Sequence, residues 1–461
     1  MRRRPDMPRE SSRSRVIDRV RRLCEVFPDL SPDPLDESGL DPRDAALMHA
    51  IHDATVRRWT TLEWIVSVAA SRDAWGLDPY VRAGLLVGSA QLLLLDRIPD
   101  HAAINEAVEW VKTHRGRGAA GLVNAVLRRV CAVRLTESDG KRCLRETWTC
   151  RRDEIPLADG GALSLRGDVM PEDATERIAV SAGVSRWLIT RWRDRAGAEQ
   201  ACRLAWRSVC AAPVIVNALH AVEPVGFPVA EGGSLELARH QQPGHFCVDG
   251  PREALTGLLA RRTDVWVQDP SSSAAVESVG DLSPGLIVDL CAGRGTKTRQ
   301  LASQFPASRI IATDTDPRRF EALARHFNGH PLVEVVAADR VEDRVGRAAD
   351  LVLADVPCSN SGVLARRIEA RHRAGPGQLA RLVGLQGRIL RRAAGLVRPG
   401  GAILYATCSL EPEENQDRVR ESAPAGFEIA RERWSEPGGG PGRPSSEHRD
   451  GSYSALLAPR V

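Results

Sequence analysis

Beyond about residue 264 the chain carries five strand-length runs, Leu286–Leu290, Arg309–Asp314, Val333–Ala337, Leu351–Asp355 and Ala402–Thr407, separated by segments of helical patterning. Runs that are apolar at consecutive positions bury both faces, the condition met in a parallel sheet covered by helices on each side. The alternation predicts a doubly wound α/β domain over 261–461, with Pro437–Pro444 a surface loop and Tyr453–Leu457 a final edge strand. In such a sheet, ligands lie beyond the carboxyl ends of the strands, where the strand order reverses. The residues just after each run are therefore the first candidates for chemistry.

Four of these exits carry what an adenosine-bearing cofactor needs. The first is Cys291-Ala292-Gly293-Arg294-Gly295-Thr296-Lys297, a glycine-containing turn where backbone can approach a ligand and a helix N-terminus can face a carboxylate. Asp314, 23 positions beyond Cys291, stands where a carboxylate can grip both ribose hydroxyls. Asp339 follows the third run and can accept from an adenine amino group; Asp355 ends the fourth. Each alone has a bland reading, because Gly-x-Gly turns are common and acidic residues at strand ends often cap the next helix. The third glycine of a dinucleotide fingerprint is missing, and so is the first glycine of a P-loop. S-adenosylmethionine fits the pattern better.

Two of the exits also carry a thiol, in Asp355-Val356-Pro357-Cys358-Ser359 and in Thr407-Cys408-Ser409. A free cysteine is most often an inert small core residue. A thiolate, however, is the common side chain soft enough to add to C6 of a pyrimidine and leave again, so two thiols beside a methyl-donor turn read as a cytosine-modifying enzyme. The ten cysteines include no Cys-x-x-Cys pair and no Cys/His cluster at zinc spacing, so neither a metal site nor a disulfide framework is expected.

Residues 10–133 show helical spacing throughout, which predicts an all-α bundle. Leu85–Val87 and Leu92–Leu95 mark a strongly apolar helix ending before Pro99, Asp100 is expected to cap the next, and a last helix bears Leu122, Val123, Val126 and Leu127 with Arg128 and Arg129 near its end. Residues 134–175 are polar and without periodicity, and are expected to be a linker. Helical patterning around Trp187–Trp206 and a strand-like Val214–Val216 suggest a small α/β subdomain over 176–260. The net charge of +4 is only mildly basic and permits nucleic-acid binding without demanding it. Three lysines stand among 64 basic residues, and one of them, Lys297, falls in the cofactor turn. The basic, polar start lacks the apolar run of a signal peptide and there is no stretch long enough to span a membrane, so a cytosolic protein with reduced thiols is expected.

The C-terminal motifs resemble those of the Sun-type (RsmB-like) RNA cytosine-5 methyltransferases. Matching positions are Asp289-Leu290-Cys291-Ala292 with Gly295, Lys297 and Thr298; Asp355, Pro357-Cys358-Ser359 and Gly362; and Tyr405, Thr407-Cys408-Ser409 with Glu414-Asn415. Val267-Gln268-Asp269 looks like the start of that catalytic domain and Asp450-Gly451 like its end. Arg97-Ile98-Pro99, Ala103–Val108 and Val123–Arg129 look like the NusB-type RNA-binding helical domain that precedes it in the bacterial member acting on small-subunit ribosomal RNA. The departures are Gly293-Arg294-Gly295-Thr296 for the family's Ala-Pro-Gly-Gly, Arg366-Arg367-Ile368 and His372 for its Arg-Arg-x-Pro and Trp, and Ser452-Tyr453 for an aromatic pair.

The resemblance implies a multidomain protein: a NusB-like bundle, a small α/β subdomain, and a Rossmann-like S-adenosylmethionine-dependent methyltransferase domain. It implies methylation of cytosine C5 in 16S ribosomal RNA, with Cys408 adding to C6, Asp355 holding the N3/N4 edge, Cys358 assisting release, and Lys297 positioning Asp355 or the base. The target base must be unstacked, so a single-stranded or looped cytosine is the expected substrate; a monomer is expected. Two alternatives stand beside it. One is an RNA-binding ribosome assembly factor with a decayed methyltransferase core, favoured by the altered turn and opposed by the intact cysteines and aspartates. The other is a DNA cytosine methyltransferase using the Pro-Cys thiol, opposed by the NusB-like helices and by Thr407-Cys408-Ser409.

Overall fold

The computed structural model describes residues 11–138, 140–223 and 235–460. The first ten residues, with the basic start, and part of the segment expected as a small subdomain lie outside them. The chain divides into two compact units, one holding the residues up to Ala211 with Leu364–Gly375 and Gly440–Gly442, the other holding Ala212–Val363, Pro376–Gly439 and the residues from Arg443 on.

In the first unit, helices α1 (Ser12–Val26), α2 (Pro42–Arg57), α3 (Trp59–Ala70), α4 (Pro79–Leu94) and α5 (Asp100–Val133) surround one apolar core. Helix α4 is buried at every position from Val81 to Leu93, as an all-round apolar helix must be. Close packing on it uses Gly84 and Gly88, where a Cβ would come within 2.7 Å of Val111 and of Leu127. The two helices expected across 100–129 are one element broken at Gly116, whose φ of 82° is non-helical. Asp100 makes no capping hydrogen bond; its carboxylate instead pairs with Arg134, buried 34 positions on. The region expected as a linker is folded: β1 (Leu144–Arg145), β2 (Glu154–Pro156) and β3 (Ala162–Ser164) form a three-stranded antiparallel sheet. Ile155, Leu163 and Met170 join the helical core. Helices α6 (Ala174–Ala182) and α7 (Arg186–Arg207) complete this part.

The second unit opens with β4 (Val214–Asn217), β5 (Glu236–Arg239), β6 (His245–Asp249), α8 (Arg252–Arg261) and β7 (Trp266–Val267); its small sheet has the order β5-β6-β4-β7. The segment expected as one subdomain is thus shared, with α6 and α7 in the first unit and these strands in the second. Then come α9 (Pro270–Glu277), β8 (Leu286–Asp289), α10 (Thr296–Gln304), β9 (Arg309–Ala312), α11 (Pro317–His326), β10 (Val333–Val335), α12 (Val341–Val345) and β11 (Ala349–Asp355). After α13 (Ala370–Arg373), which packs in the first unit, follow α14 (Pro376–Leu396), β12 (Val397–Thr407), α15 (Gln416–Ser422), β13 (Phe427–Ser435) and β14 (Ser452–Pro459).

The seven-stranded sheet has the order β10-β9-β8-β11-β12-β14-β13, parallel from β10 to β12 and antiparallel beyond. Along β11, Leu351 and Leu353 enter the core shared with Leu301 and Leu323, while Val352 and Ala354 enter the core shared with Leu390. Burial on both faces is what makes the runs continuously apolar. The strand around Tyr453–Leu457 is not the edge: it lies between β12 and β13, and the edge is β13, whose charged Phe427–Ser435 stretch carries no strand-like alternation of apolar residues. Strand order reverses between β8 and β11, so their carboxyl ends frame the switch point.

Candidate active site

The cofactor side is built on the turn leaving β8. Gly295 begins α10 at φ 89°, and a Cβ there would collide with the Phe327 ring, so this glycine is required by both backbone and packing. Gly293 also has positive φ, but a Cβ there would meet nothing within 4 Å; the turn opens onto space at this point. The Gly293 N–H donates to Asp314 Oδ2 at 2.9 Å and the Asp316 N–H to Oδ1 at 2.8 Å, which fixes the carboxylate at the end of β9. Ala292 N–H donates to Thr313 O. Arg294 and Thr296, where the chain departs from the family turn, are exposed, while the indispensable Gly295 is kept. An open glycine turn beside an anchored carboxylate fits an adenosine-bearing methyl donor. Asp339 stands exposed on the short turn after β10 and, among the described residues, makes no hydrogen bond to these groups.

The thiol side is set by strand register. Strands β11 and β12 run parallel with Asp355 beside Ala406, and Val356 N–H donates to Ala406 O, so both chains leave the sheet together. Cys358 and Cys408 meet with their Sγ atoms 3.2 Å apart. Cys358 is 7 % exposed and Cys408 more accessible. The hydrogen bond to Cys408, then burial, then the Cys408 and Glu414 charges raise the Cys358 thiol well above its ordinary value. Lys297, on the first turn of α10, places Nζ 2.8 Å from Asp355 Oδ2. Burial opposes its charge, but Asp355 restores it and the ammonium is held above its usual range, with Cys408 within electrostatic reach. Asn360, at φ 61°, sets Oδ1 3.4 Å from Cys408 Sγ and donates from Nδ2 to Cys358 O.

The ends of the domain close under this pair. Asp269 caps α9 and also accepts from the Asp450 N–H, while Gly451 N–H donates to Gly362 O and Gly362 N–H to Cys408 O. The Gly362 position admits no side chain: a Cβ would lie 2.8 Å from Cys408 O and closer still to Gly451 O.

Comparison with known proteins bears on the family and the fold. The sequence profile of the NusB family matches residues 21–132, and that of the family described as 16S rRNA methyltransferase RsmB/F matches residues 282–440. A Mycobacterium tuberculosis protein provisionally named a methyltransferase is 32 % identical over 82 % of this chain and 78 % of its own length. The chain belongs to the RsmB/F family of 16S rRNA methyltransferases. Relatives named ribosomal RNA small subunit methyltransferase B in Vibrio cholerae and Xanthomonas campestris are 28 % and 29 % identical, the first covering 92 % of each chain, the second 90 % of this chain and 89 % of its own. The crystal structure of PH0851 shares the fold over 97 % of this chain and 98 % of its own, with a TM-score of 0.72 at 21 % identity. S-adenosylmethionine is the methyl donor of the family.

Within the RsmB/F domain, then, the candidates fall into two groups. Lys297, Asp355, Cys358 and Cys408 form one cluster, and the Cys291–Gly295 turn with Asp314 forms the other. Cys291 is an unreactive member, its thiol raised by burial and by the Asp289, Asp355 and Asp314 carboxylates. Sequence reasoning gave no role to Asn360, Glu414, Gln386 or the serines after each cysteine, all of which hold the thiol pair. Glu414 lies seven residues beyond Thr407 in the same motif, which is its signal in the sequence; Gln386, mid-helix in α14, has none.

Proposed function

We propose that this protein transfers the methyl group of S-adenosylmethionine to C5 of a cytosine in small-subunit ribosomal RNA, through a covalent bond between Cys408 and C6. The observation that carries the reading is the meeting of two thiols at 3.2 Å beside the Lys297–Asp355 pair, next to the turn that fits the donor. C5 of cytosine is a weak nucleophile; addition of the Cys408 thiolate to C6 places electron density on C5. The cofactor, held by Cys291–Gly295 and Asp314, supplies an electrophilic methyl group when bound. Asp355 has one oxygen on Lys297 and a third of its side chain exposed, so it can receive the cytosine N4 amino group or a protonated N3. Cys358 is the more buried of the two and its thiol is raised, which suits it to proton handling as the C5 hydrogen leaves and Cys408 departs, rather than to attack. The NusB-like unit is read as the module that holds RNA, and the target as a base already out of a stack.

Small-subunit ribosomal RNA lacking the modification should be incubated with the protein and methyl-labelled cofactor, then digested to nucleosides and resolved by mass spectrometry. Label in 5-methylcytidine is expected. Label in N4-methylcytidine or in any other base would overturn the reading.

A further inference from the structure

The chemistry above makes no use of Glu414, a fully buried carboxylate that no ion pair reaches among the described residues. An uncompensated buried carboxylate is costly, and burial accordingly opposes its ionisation. Its surroundings show what it gains. Ser359, the residue after Cys358, donates its N–H to Glu414 Oε1 at 2.9 Å and its hydroxyl to Oε2. Ser409, the residue after Cys408, donates its hydroxyl to the same Oε2. Gln386 of α14 donates to Oε1 at 3.0 Å and, through the same nitrogen, to Pro357 O just ahead of Cys358. The Glu414 backbone is held by the Tyr405 hydroxyl, and its neighbour Asn415 donates to Ser409 O. One carboxylate thus holds the residue following each cysteine.

We infer that Glu414 is the positioning residue of the thiol pair: by gripping Ser359 and Ser409 together it sets the distance between Cys358 and Cys408, and through that distance both formation and release of the RNA adduct. The inference rests on the reading that both thiols take part. Reach, more than charge, is what the grip requires. Glutamine keeps the length and one accepting oxygen for the Ser359 N–H and Gln386, while the two serine hydroxyls can turn to accept from its amide. Aspartate keeps the charge but is a methylene too short to span both loops.

The test uses the full-length protein with Glu414→Gln and Glu414→Asp. The first readout needs no catalysis. A diazene oxidant takes two electrons and two protons from the thiols, becoming a hydrazine as the Sγ–Sγ bond forms, and peptide mass spectrometry times the Cys358–Cys408 disulfide. The second is the rate of covalent trapping on RNA containing 5-fluorocytosine, and the third is calorimetric affinity for S-adenosylmethionine. Glu414→Asp should slow both disulfide formation and trapping, on the order of a hundredfold for a displacement near 1 Å, with cofactor affinity unchanged; Glu414→Gln should stay near wild type in all three. Normal rates in Glu414→Asp would overturn the inference, as would slow rates in Glu414→Gln alone, which would make charge the requirement. Loss of cofactor affinity in step with the rates would reduce Glu414 to general support and overturn it too. Failure of the catalytic reading would look different: wild type would form no trapped adduct, yet the disulfide rates would still rank the variants.

Discussion

Burial of Asp289 at the end of β8 pushes its carboxyl from 3.8 up to about 7, with Asp355 adding to the rise and the Thr298 hydroxyl and Lys297 opposing it. The folded chain therefore holds this proton at pH values where the unfolded chain has lost it. The stability it contributes is present below the ordinary carboxyl range and disappears as pH rises toward about 7. Asp289→Asn, which mimics the neutral acid and can still accept from Thr298, should gain on the wild type in urea unfolding as pH rises through that window. A difference independent of pH would contradict the assignment. At this scale the candidate groups that the structure brings together stood out in the sequence because paired thiols, strand-end carboxylates and a lysine kept among arginines are unusual in themselves. Their supports did not: Ser359, Asn360 and Gln386 are ordinary polar residues whose partners lie 28 to 55 positions away, and Ser409, though only five positions from Glu414, shows its role only once that carboxylate also holds Ser359.

Where the elements meet, the close approach of three chain segments at Gly362 is a tight constraint. Alanine there would drive a Cβ into Cys408 O and Gly451 O, both backbone atoms that a rotamer change cannot move. Gly362→Ala should cost about 1 to 3 kcal/mol in urea unfolding and abolish methyl transfer while cofactor affinity persists; a variant of wild-type stability and activity would show that the loops are not closed this way. The parallel strands were legible because burial on both faces leaves continuous apolar runs. Three features escaped for different physical reasons. The strands within 134–175 are two and three residues long, too short to show a period. The edge strand β13 is exposed along most of its length and reads as polar. The position of β14 inside the sheet depends on pairing with β12 and β13, which periodicity cannot express. Asp100 was expected to cap a helix, but the nearby Arg134 offers it a stronger, charge-assisted partner.

On the scale of the whole molecule, the helical bundle and the doubly wound domain could each be read from sequence, since each is a long stretch of one period. The passage between them could not, because residues far apart in the chain complete the first unit: Arg371, within α13, donates to Arg57 O, Ala182 O and Ser208 O. Such a buried guanidinium satisfied by distant carbonyls leaves no local pattern. The joint claim for the molecule is that one unit holds RNA while the other attaches to it through one particular thiol. The most direct test is a denaturing gel of wild type, Cys408→Ser and Cys358→Ser with substrate RNA and S-adenosylmethionine. A serine hydroxyl is not ionised near neutral pH, so Cys408→Ser should show no shifted band, whereas Cys358→Ser should form the adduct, release it slowly and accumulate a denaturation-resistant complex. A shifted band with Cys408→Ser and none with Cys358→Ser would contradict the account and make Cys358 the nucleophile.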